Sequence, residues 1–157
     1  MNVKILAVGK LNEKFWADAL AEYSKRLSRY CTFSVEEIPD LKNPALSSGE
    51  LCKKTVYKEG QSLLQKIKDE FVVALCIEGK QIPSEGLCGI IEKAAMKNGK
   101  LTFVIGGSLG LSEEVKMRAD IRLSMSAMTF PHALARVMLA EQIYRAYTII
   151  NNGNYHK

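Results

Sequence analysis

The chain has 157 residues, 47% of them hydrophobic, and a formal net charge of +5. This length predicts a single domain over residues 1–157 with enough apolar residues to bury a core. The charge favours an anionic partner without naming one, because a mildly basic enzyme has the same balance. No apolar run approaches the roughly 20 residues of a membrane span, and the first residues do not resemble a secretory signal. We therefore expect a cytoplasmic protein.

The cysteine and histidine spacing argues against a metal centre. The four cysteines include no CxxC pair, and both histidines lie far downstream of them. Such spacing fits neither a zinc site nor a disulfide framework, so we expect buried or incidental thiols in a reducing compartment and no metal.

Strand and helix patterns alternate five times along the chain. Short apolar, β-rich runs predict the strands, and apolar residues at helical spacing predict the helices. In chain order the predicted elements are strand Val3–Val8, a helix capped by Asn12 and ending near Ser28, strand Phe33–Ile38, helix Glu50–Lys68, strand Phe71–Ile77, a helix capped by Ser84 and ended by Gly99, strand Leu101–Ile105, a short helix capped by Ser112 and ending near Asp120, strand Ile121–Ser124, and helix Pro131–Ile150.

This alternation predicts an α/β fold with a mostly parallel sheet and helices on both faces. The run Phe71–Ile77 is continuously apolar, as expected for a central strand that is covered on both sides. The segment 40–49 contains Pro, Asn, Ser and Gly without periodicity, so it is predicted to be a mobile loop. Because ligands in parallel sheets bind at the carboxyl ends of strands, the loops that follow the third, fourth and fifth strands are the candidates for a site.

Two of these loops are expected to form one pocket. The first is a glycine-rich turn, Ile105–Ser112, and the second is the apolar Met125–Phe130 loop. Thr129 is the expected N-cap of the last helix, with Pro131 in its first turn. The turn is neither a P-loop, which needs Gly-Lys-Ser/Thr, nor a dinucleotide-binding fingerprint, which follows an early strand. Backbone amides and an apolar wall suit a neutral or zwitterionic adenine-containing ligand better than a triphosphate.

The predicted helix Pro131–Ile150 is apolar over more than half of its circumference. A helix with so little polar surface must be covered on more than one side. In a chain of this size the pattern favours a dimer interface, and a central position in the core is the alternative. Arg136, Glu141 and Arg145 interrupt the apolar surface and need partners, or a ligand, when they are covered.

Three further features each allow two interpretations. Basic residues of the first helix form either a solvated face or an RNA-facing patch. His132 is a lone histidine, which favours a capping or packing role over a catalytic one. The tail Asn154–Lys157 is either frayed or presents an aromatic ring and a cation to a splayed base.

Motifs distributed over the whole chain carry a resemblance to a known family. They are Ile5–Lys10, Ile105–Ser108 with Gly110–Leu111, Leu123–Ser124 with Met128–His132, Glu141–Ala146, and Tyr155–Lys157. Together they resemble the bacterial large-subunit rRNA pseudouridine N3-methyltransferases, which are small members of the SPOUT superfamily. The combination of TFPH, EQIYRA and a terminal YHK is specific to these proteins.

The resemblance implies several properties beyond the sequence periodicity. The fold would be SPOUT-type, with a trefoil knot near the C-terminus, and the protein would be a homodimer packed through the last helix. S-adenosylmethionine would be the cofactor, bent within the knot, and the substrate would be a pseudouridine in the 23S rRNA of the assembled ribosome. The implied cofactor contacts are Leu75, Gly106, Met125, Ser126, Ala127, Met128, Thr129 and Phe130.

The catalytic residues are unknown at this stage, although the chemistry limits the candidates. The proton on N3 must leave, so a general base or a cation that stabilises the deprotonated imide is expected. Our candidates are His156 with Tyr155, reaching across the dimer, and Arg136 near the pocket, because no other ionisable cluster is evident. Two alternatives remain: a SPOUT methyltransferase that acts on another RNA, such as tRNA, and a non-catalytic dimeric module that binds RNA or the ribosome.

Overall fold

Strands and helices alternate from Asn2 to Ile150 in the computed structural model, which describes residues 1–41 and 48–156. The strands are β1 (Asn2–Val8), β2 (Thr32–Ile38), β3 (Phe71–Lys80), β4 (Lys100–Ile105) and β5 (Ile121–Leu123). The helices are α1 (Lys14–Leu27), α2 (Gly49–Lys66), α3 (Gly86–Lys97), α4 (Glu113–Arg118) and α5 (His132–Ile150). Most of the predicted loop 40–49 lies outside the described residues.

The five strands in the described part of the chain form one sheet in the order β2-β1-β4-β3-β5, and every neighbouring pair is parallel. Val3 of β1, for example, lies opposite Phe33 on one side and Leu101 on the other. Because all strands point the same way, their carboxyl ends and the loops that follow them lie along one edge of the sheet. The prediction of a parallel α/β sheet is confirmed.

Apolar side chains cover both faces of the sheet. Alternate residues of a strand point to opposite faces, so Ile5 packs with α1, α3 and α5, whereas Leu6 packs with α2 and α4. Both side chains are fully buried, as are Phe103 on the first face and Val104 on the second. Helices therefore lie on both faces, as the apolar strands predicted.

Some predicted helix starts are wrong. Helix α5 begins at His132 rather than at a Thr129 cap, because proline disfavours helical geometry in the residue before it and so keeps Phe130 out of the helix. Asn12 does not cap α1, which follows Glu13. Ser84 does not cap α3, since its hydroxyl donates to Gln142 Oε1 at 2.6 Å.

Two other helix boundaries confirm the sequence signals. Ser112 caps α4, where its Oγ accepts a hydrogen bond from the Val115 amide at 3.4 Å. Gly99 ends α3 with a φ of 70°, and its amide donates to the Ala94 carbonyl at 3.0 Å. A positive φ is costly for residues with a Cβ, which explains why glycine stands there.

Strand β3 is longer than predicted. The segment Glu78–Lys80, expected to be a turn, continues the strand and pairs with β5 after a shift in register. A Cβ atom on Gly79 would lie 2.5 Å from the carbonyl carbon of Leu123, so only glycine allows this close approach.

Across the described residues, no helix has the length and apolarity that a membrane span requires. The trefoil knot stays a prediction.

Candidate functional site at the carboxyl ends of three strands

A cleft of about 370 Å³ lies where β3, β4 and β5 end and α5 begins. This volume is within the usual range for small-molecule sites. The lining residues are those at 75–78, 105–111, 124–126 and 128–130, together with Lys116, His132 and Ala135. The cleft therefore combines the two loops that the sequence predicted to form one pocket with a third wall from β3.

The glycine-rich turn forms one wall of the cleft. It folds back on itself, with a bridge between Gly107 and Gly110 and a hydrogen bond of 3.0 Å from the Gly110 amide to the Gly107 carbonyl. Gly110 has a φ of 83°, and a Cβ on Gly106 would lie 2.5 Å from the Gly110 carbonyl oxygen. Side chains are thus disfavoured at Gly106 and Gly110, where the main chain itself borders the cleft.

The Met125–Phe130 loop forms the facing wall, and serine hydroxyls fix its shape. The hydroxyl of Ser124 donates to the Ser126 carbonyl at 3.0 Å, and Ser126 Oγ accepts from the Met128 amide at 3.0 Å. The Met128 side chain is 70% exposed at the rim, and so is Ile77 at the end of β3, at 77%. The rim is therefore apolar and uncovered in the single chain.

Charged groups enter the cleft from β3, α4 and α5. Lys116 Nζ contacts the carboxylates of Glu78 and Glu113, the latter at 3.0 Å. The hydrogen bond from Lys116 lowers the pKa of Glu78, so this carboxylate stays ionised. Burial lowers the pKa of His132, and the positive charge of Arg136 lowers it further, so His132 favours the neutral imidazole.

Glu78, Lys116 and His132 also line the cleft, although no sequence motif identified them as contacts of a ligand. Glu78 follows a central strand directly, so its position at a carboxyl end was the signal that could have identified it. Lys116 gave no such signal, because its position depends on how α4 packs beside β3.

Seven of the eight residues predicted to contact a cofactor line the cleft: Leu75, Gly106, Met125, Ser126, Met128, Thr129 and Phe130. Ala127 lies between two of them but is not among the lining residues. The structure thus brings the predicted group together from three separate parts of the chain. Their contact with a cofactor stays a prediction.

Arg136 lies outside the cleft lining, beneath the start of α5. It is 2% exposed, and its two terminal nitrogens donate to Glu37 Oε1 at 2.8 Å and to the Val8 carbonyl at 2.7 Å. Its Nε has no hydrogen-bond partner among the described residues. Burial lowers the pKa of Arg136, and the negative charge of Glu37 opposes that shift. The guanidinium ties α5 to the end of β1.

The C-terminal tail packs on α5 and α3, away from the cleft of its own chain. The Tyr155 hydroxyl donates to Glu141 Oε1 at 3.2 Å, and the Arg145 guanidinium lies 4.7 Å from the centre of the Tyr155 ring. Burial raises the pKa of Tyr155 to about 12. His156 Nε2 is 2.9 Å from Glu85 Oε1. The tail is therefore held by specific contacts as far as His156.

Within the described part of the chain, no three His, Cys, Asp or Glu side chains come together as metal ligands. The fold and the cleft define an α/β protein with a small-molecule site of main-chain and apolar walls at the carboxyl ends of parallel strands.

Comparison with known proteins identifies the family. A family model described as predicted SPOUT methyltransferase matches residues 1–156. The chain is 51% identical to ribosomal RNA large subunit methyltransferase H 1 of Clostridium perfringens (strain SM101 / Type A), and 51% identical to ribosomal RNA large subunit methyltransferase H of Limosilactobacillus reuteri (strain DSM 20016). Both matches cover 100% of each chain. The chain belongs to the SPOUT methyltransferase family, and its chemistry requires a methyl donor.

Solved structures with much lower sequence identity share the fold. A protein described as a probable methylase family member from Haemophilus influenzae Rd KW20 has a TM-score of 0.58 at 16% identity, covering 99% of this chain and 70% of that one. TrmJ from Z. mobilis ZM4 has a TM-score of 0.54 at 15% identity, covering 93% and 70%. At such low sequence identity these similarities support the SPOUT fold and carry no information about activity or substrate.

Proposed function

We propose that this protein is a single-domain, cytoplasmic homodimer that transfers a methyl group from S-adenosylmethionine to N3 of a pseudouridine in 23S rRNA of the assembled ribosome. The observation that carries the proposal is the 51% identity, over the full length of both chains, to proteins named ribosomal RNA large subunit methyltransferase H. The cleft adds chemical support, because it has the size and the walls that an adenosyl ligand needs.

The residues of the cleft fit S-adenosylmethionine. Apolar side chains of the Met125–Phe130 loop and Leu75 offer a surface for adenine, and the main chain of the glycine-rich turn offers hydrogen-bonding groups beside it. When bound, the cofactor supplies a methyl group on a sulfonium, which is already a strong electrophile. The chain therefore has mainly to orient the reactants and exclude water.

Removal of the N3 proton needs a base or a cation beside the imide, and we propose the partner subunit's tail for this role in addition to Glu78, Lys116 and His132, which line the cleft of the same chain. His156 with Tyr155 from the partner subunit is our candidate, because these residues contact Arg145 and Glu141 of α5, the helix through which we propose the dimer. The Arg145 guanidinium, 3.4 Å from His156 Nδ1, would be the cation that stabilises a deprotonated imide. We assign Arg136 a positioning role instead of contact with the base, because its guanidinium is buried and paired with Glu37.

The exposed surface of α5 supports a dimer through this helix. One side of α5 packs on α1 and α3, where Leu139 and Ile143 are buried. Leu134, Val137 and Met138 are only partly buried in the single chain. A second copy packed there would cover apolar surface by a two-fold, self-complementary contact.

The first experiment is transfer of labelled methyl groups from S-adenosylmethionine to assembled ribosomes, separate subunits and free rRNA that lack the modification. We expect label at one pseudouridine of the large-subunit rRNA, strongest on assembled ribosomes, mapped by mass spectrometry of nuclease fragments. Equal labelling of free rRNA would contradict the requirement for the ribosome. Label on tRNA alone would move the target to another RNA, and cofactor binding without label on any RNA would contradict the assignment of 23S rRNA.

A mixed-dimer experiment tests the contribution of the partner subunit. One chain carries Gly106→Val, which fills the turn, and the other carries His156→Ala. If the tail acts across the dimer, each mixed dimer has one intact site, and random mixing restores about a quarter of the wild-type sites. Each variant alone, and the double variant mixed with wild type, are the controls. No recovery in the mixture, with mixed dimers demonstrated by mass, would show that the tail does not act in the partner's site.

A further inference from the structure

Among the described residues that line the cleft, one carries a carboxylate: Glu78, at the point where β3 leaves the sheet core. The glycine-rich turn follows β4, the neighbouring parallel strand, and lines the same cleft. An acidic acceptor and a main-chain turn therefore border the same space. Neither the predicted cofactor contacts nor the family comparison gives Glu78 a role.

Neighbouring cations hold Glu78 in position. Lys116 Nζ contacts Glu78 Oε1 and also Glu113, and the side chain of Lys116 is only 14% exposed. Arg122 supports the same corner, since its Nε donates to the Lys116 carbonyl at 3.2 Å. The contacts fix one oxygen of Glu78, but a carboxylate has about four lone-pair positions. Acceptor capacity therefore remains on Glu78, which lines the cleft.

We infer that Glu78 accepts hydrogen bonds from the vicinal ribose hydroxyls of the adenosyl ligand, with Lys116 as the positioning residue that orients the carboxylate. This inference rests on the proposed function and adds a specificity-determining residue to it. An ionised carboxylate can only accept hydrogen bonds, and two neighbouring hydroxyls are a matched pair of donors. A carboxylate at a strand end beside a glycine-rich turn is also how dinucleotide-binding sheets recognise ribose, although the sequence pattern here is different.

The ribose is the part of the ligand for which the rest of the cleft is least specific. The apolar Met125–Phe130 loop suits adenine, and the open, apolar rim at Ile77 and Met128 leaves room for the amino-acid portion. A site that hydrogen-bonds a hydroxyl discriminates strongly against a ligand that lacks it, because the acceptor then loses both water and partner. Glu78 is half exposed, so we expect the lower end of that effect, roughly a tenfold preference for the intact ribose.

Isothermal titration calorimetry with S-adenosylhomocysteine and its 2′-deoxy analogue tests the inference without requiring methyl transfer. The wild-type protein should bind S-adenosylhomocysteine roughly tenfold more tightly than the analogue, and Glu78→Ala should lose most of that preference. Glu113→Gln is the matched control, because Glu113 also contacts Lys116 but does not line the cleft. It should keep the preference, and circular dichroism should show that all three proteins are folded.

The outcomes separate the inference from the proposed function. Binding of both ligands by the wild-type protein with equal affinity would overturn the role of Glu78, and so would an unchanged preference in Glu78→Ala. If Glu78→Ala bound both ligands more weakly by the same factor, the carboxylate would contact another part of the ligand. That result would also overturn the inference. No binding of either ligand by the folded wild-type protein would overturn the proposed function itself, and the inference with it.

Discussion

Replacement of Arg136 by methionine tests whether this buried guanidinium stabilises the fold or takes part in the chemistry. The substitution keeps most of the side-chain volume but removes the donors to Glu37 and to the Val8 carbonyl. Val8 is 3% exposed, so its carbonyl cannot readily recover a water molecule, at a cost of about 1–3 kcal/mol. Glu37 is 27% exposed and still accepts a hydrogen bond from the Leu11 amide. Leaving its carboxylate without the guanidinium therefore costs less free energy than it would for a fully buried carboxylate.

The sum of these losses is about 2–4 kcal/mol in the free energy of unfolding, which corresponds to a fall of roughly 4–16 °C in Tm for a chain of this size. Urea unfolding followed by circular dichroism measures it. Arg26→Met is the matched control, because Arg26 pairs with Glu22 at 2.7 Å on the surface of α1. Its unfolding midpoint should stay close to that of the wild-type protein.

A double variant separates the ion pair from the rest of the effect. Glu37→Gln combined with Arg136→Met should be destabilised by less than the sum of the two single variants, because the partners contact each other directly. A stabilising role of Arg136 would be refuted if Arg136→Met kept its unfolding free energy within about 0.5 kcal/mol of wild type while methyl transfer fell about 100-fold or more. That pattern would assign Arg136 to the chemistry.

Three further predictions concern the sheet and its loops. Burial raises the pKa of Glu70, but hydrogen bonds from Lys4, the Lys68 amide and Thr102 outweigh it and lower that pKa below 4.5. Glu70→Gln should therefore cost roughly 1–2 kcal/mol at pH 7, and the difference from wild type in urea unfolding should shrink as the pH falls below about 4. Ser112→Ala removes the α4 cap and should lower the free energy of unfolding by about 0.5–2 kcal/mol in the same assay. Ser48→Ala, at the exposed start of α2, should cost less, and an equal loss in the two variants would show that burial does not strengthen the cap. Gly79→Ala forces β3 away from Leu123 and should weaken both stability and S-adenosylhomocysteine binding, whereas Gly89→Ala, with open space at its Cβ, should stabilise α3 by up to about 1 kcal/mol.

Local sequence patterns were sufficient for the sheet but not for the polar contacts of the site. The apolar run Phe71–Ile77 predicted a covered strand, and its residues Val72, Val73 and Ala74 are fully buried inside the sheet, although Ile77 at its end is exposed. Arg136 shows the opposite case, since its ionic partner Glu37 lies 99 residues earlier in the chain. No periodicity links two such positions, and the pairing exists only because the ends of β1 and β2 meet the start of α5.

The local errors have a similar origin. Thr129 and Ser84 are good capping residues by type, but proline geometry excluded one and a hydrogen bond to Gln142 engaged the other. Glu78–Lys80 contains a glycine and two charges, which is typical of a turn, yet the sheet extends through it because Gly79 lets β5 approach closely. Tertiary contacts determine the conformation at each of these positions. They also make the segment Glu78–Lys80, predicted to be a turn, part of β3, whose end lines the cleft.

The geometry of α5 explains why the tail is expected to act in the partner's site. The helix begins with His132 at the cleft, and the tail is bound at Glu141, nine residues further along. At 1.5 Å per residue this separation is about 14 Å, more than a side chain can span. Within one chain, Tyr155 and His156 would have to leave Glu141, Arg145 and Glu85 to reach the cleft. In a two-fold contact through α5 the helices can run in opposite directions, which brings the middle of one helix towards the start of the other without breaking those contacts.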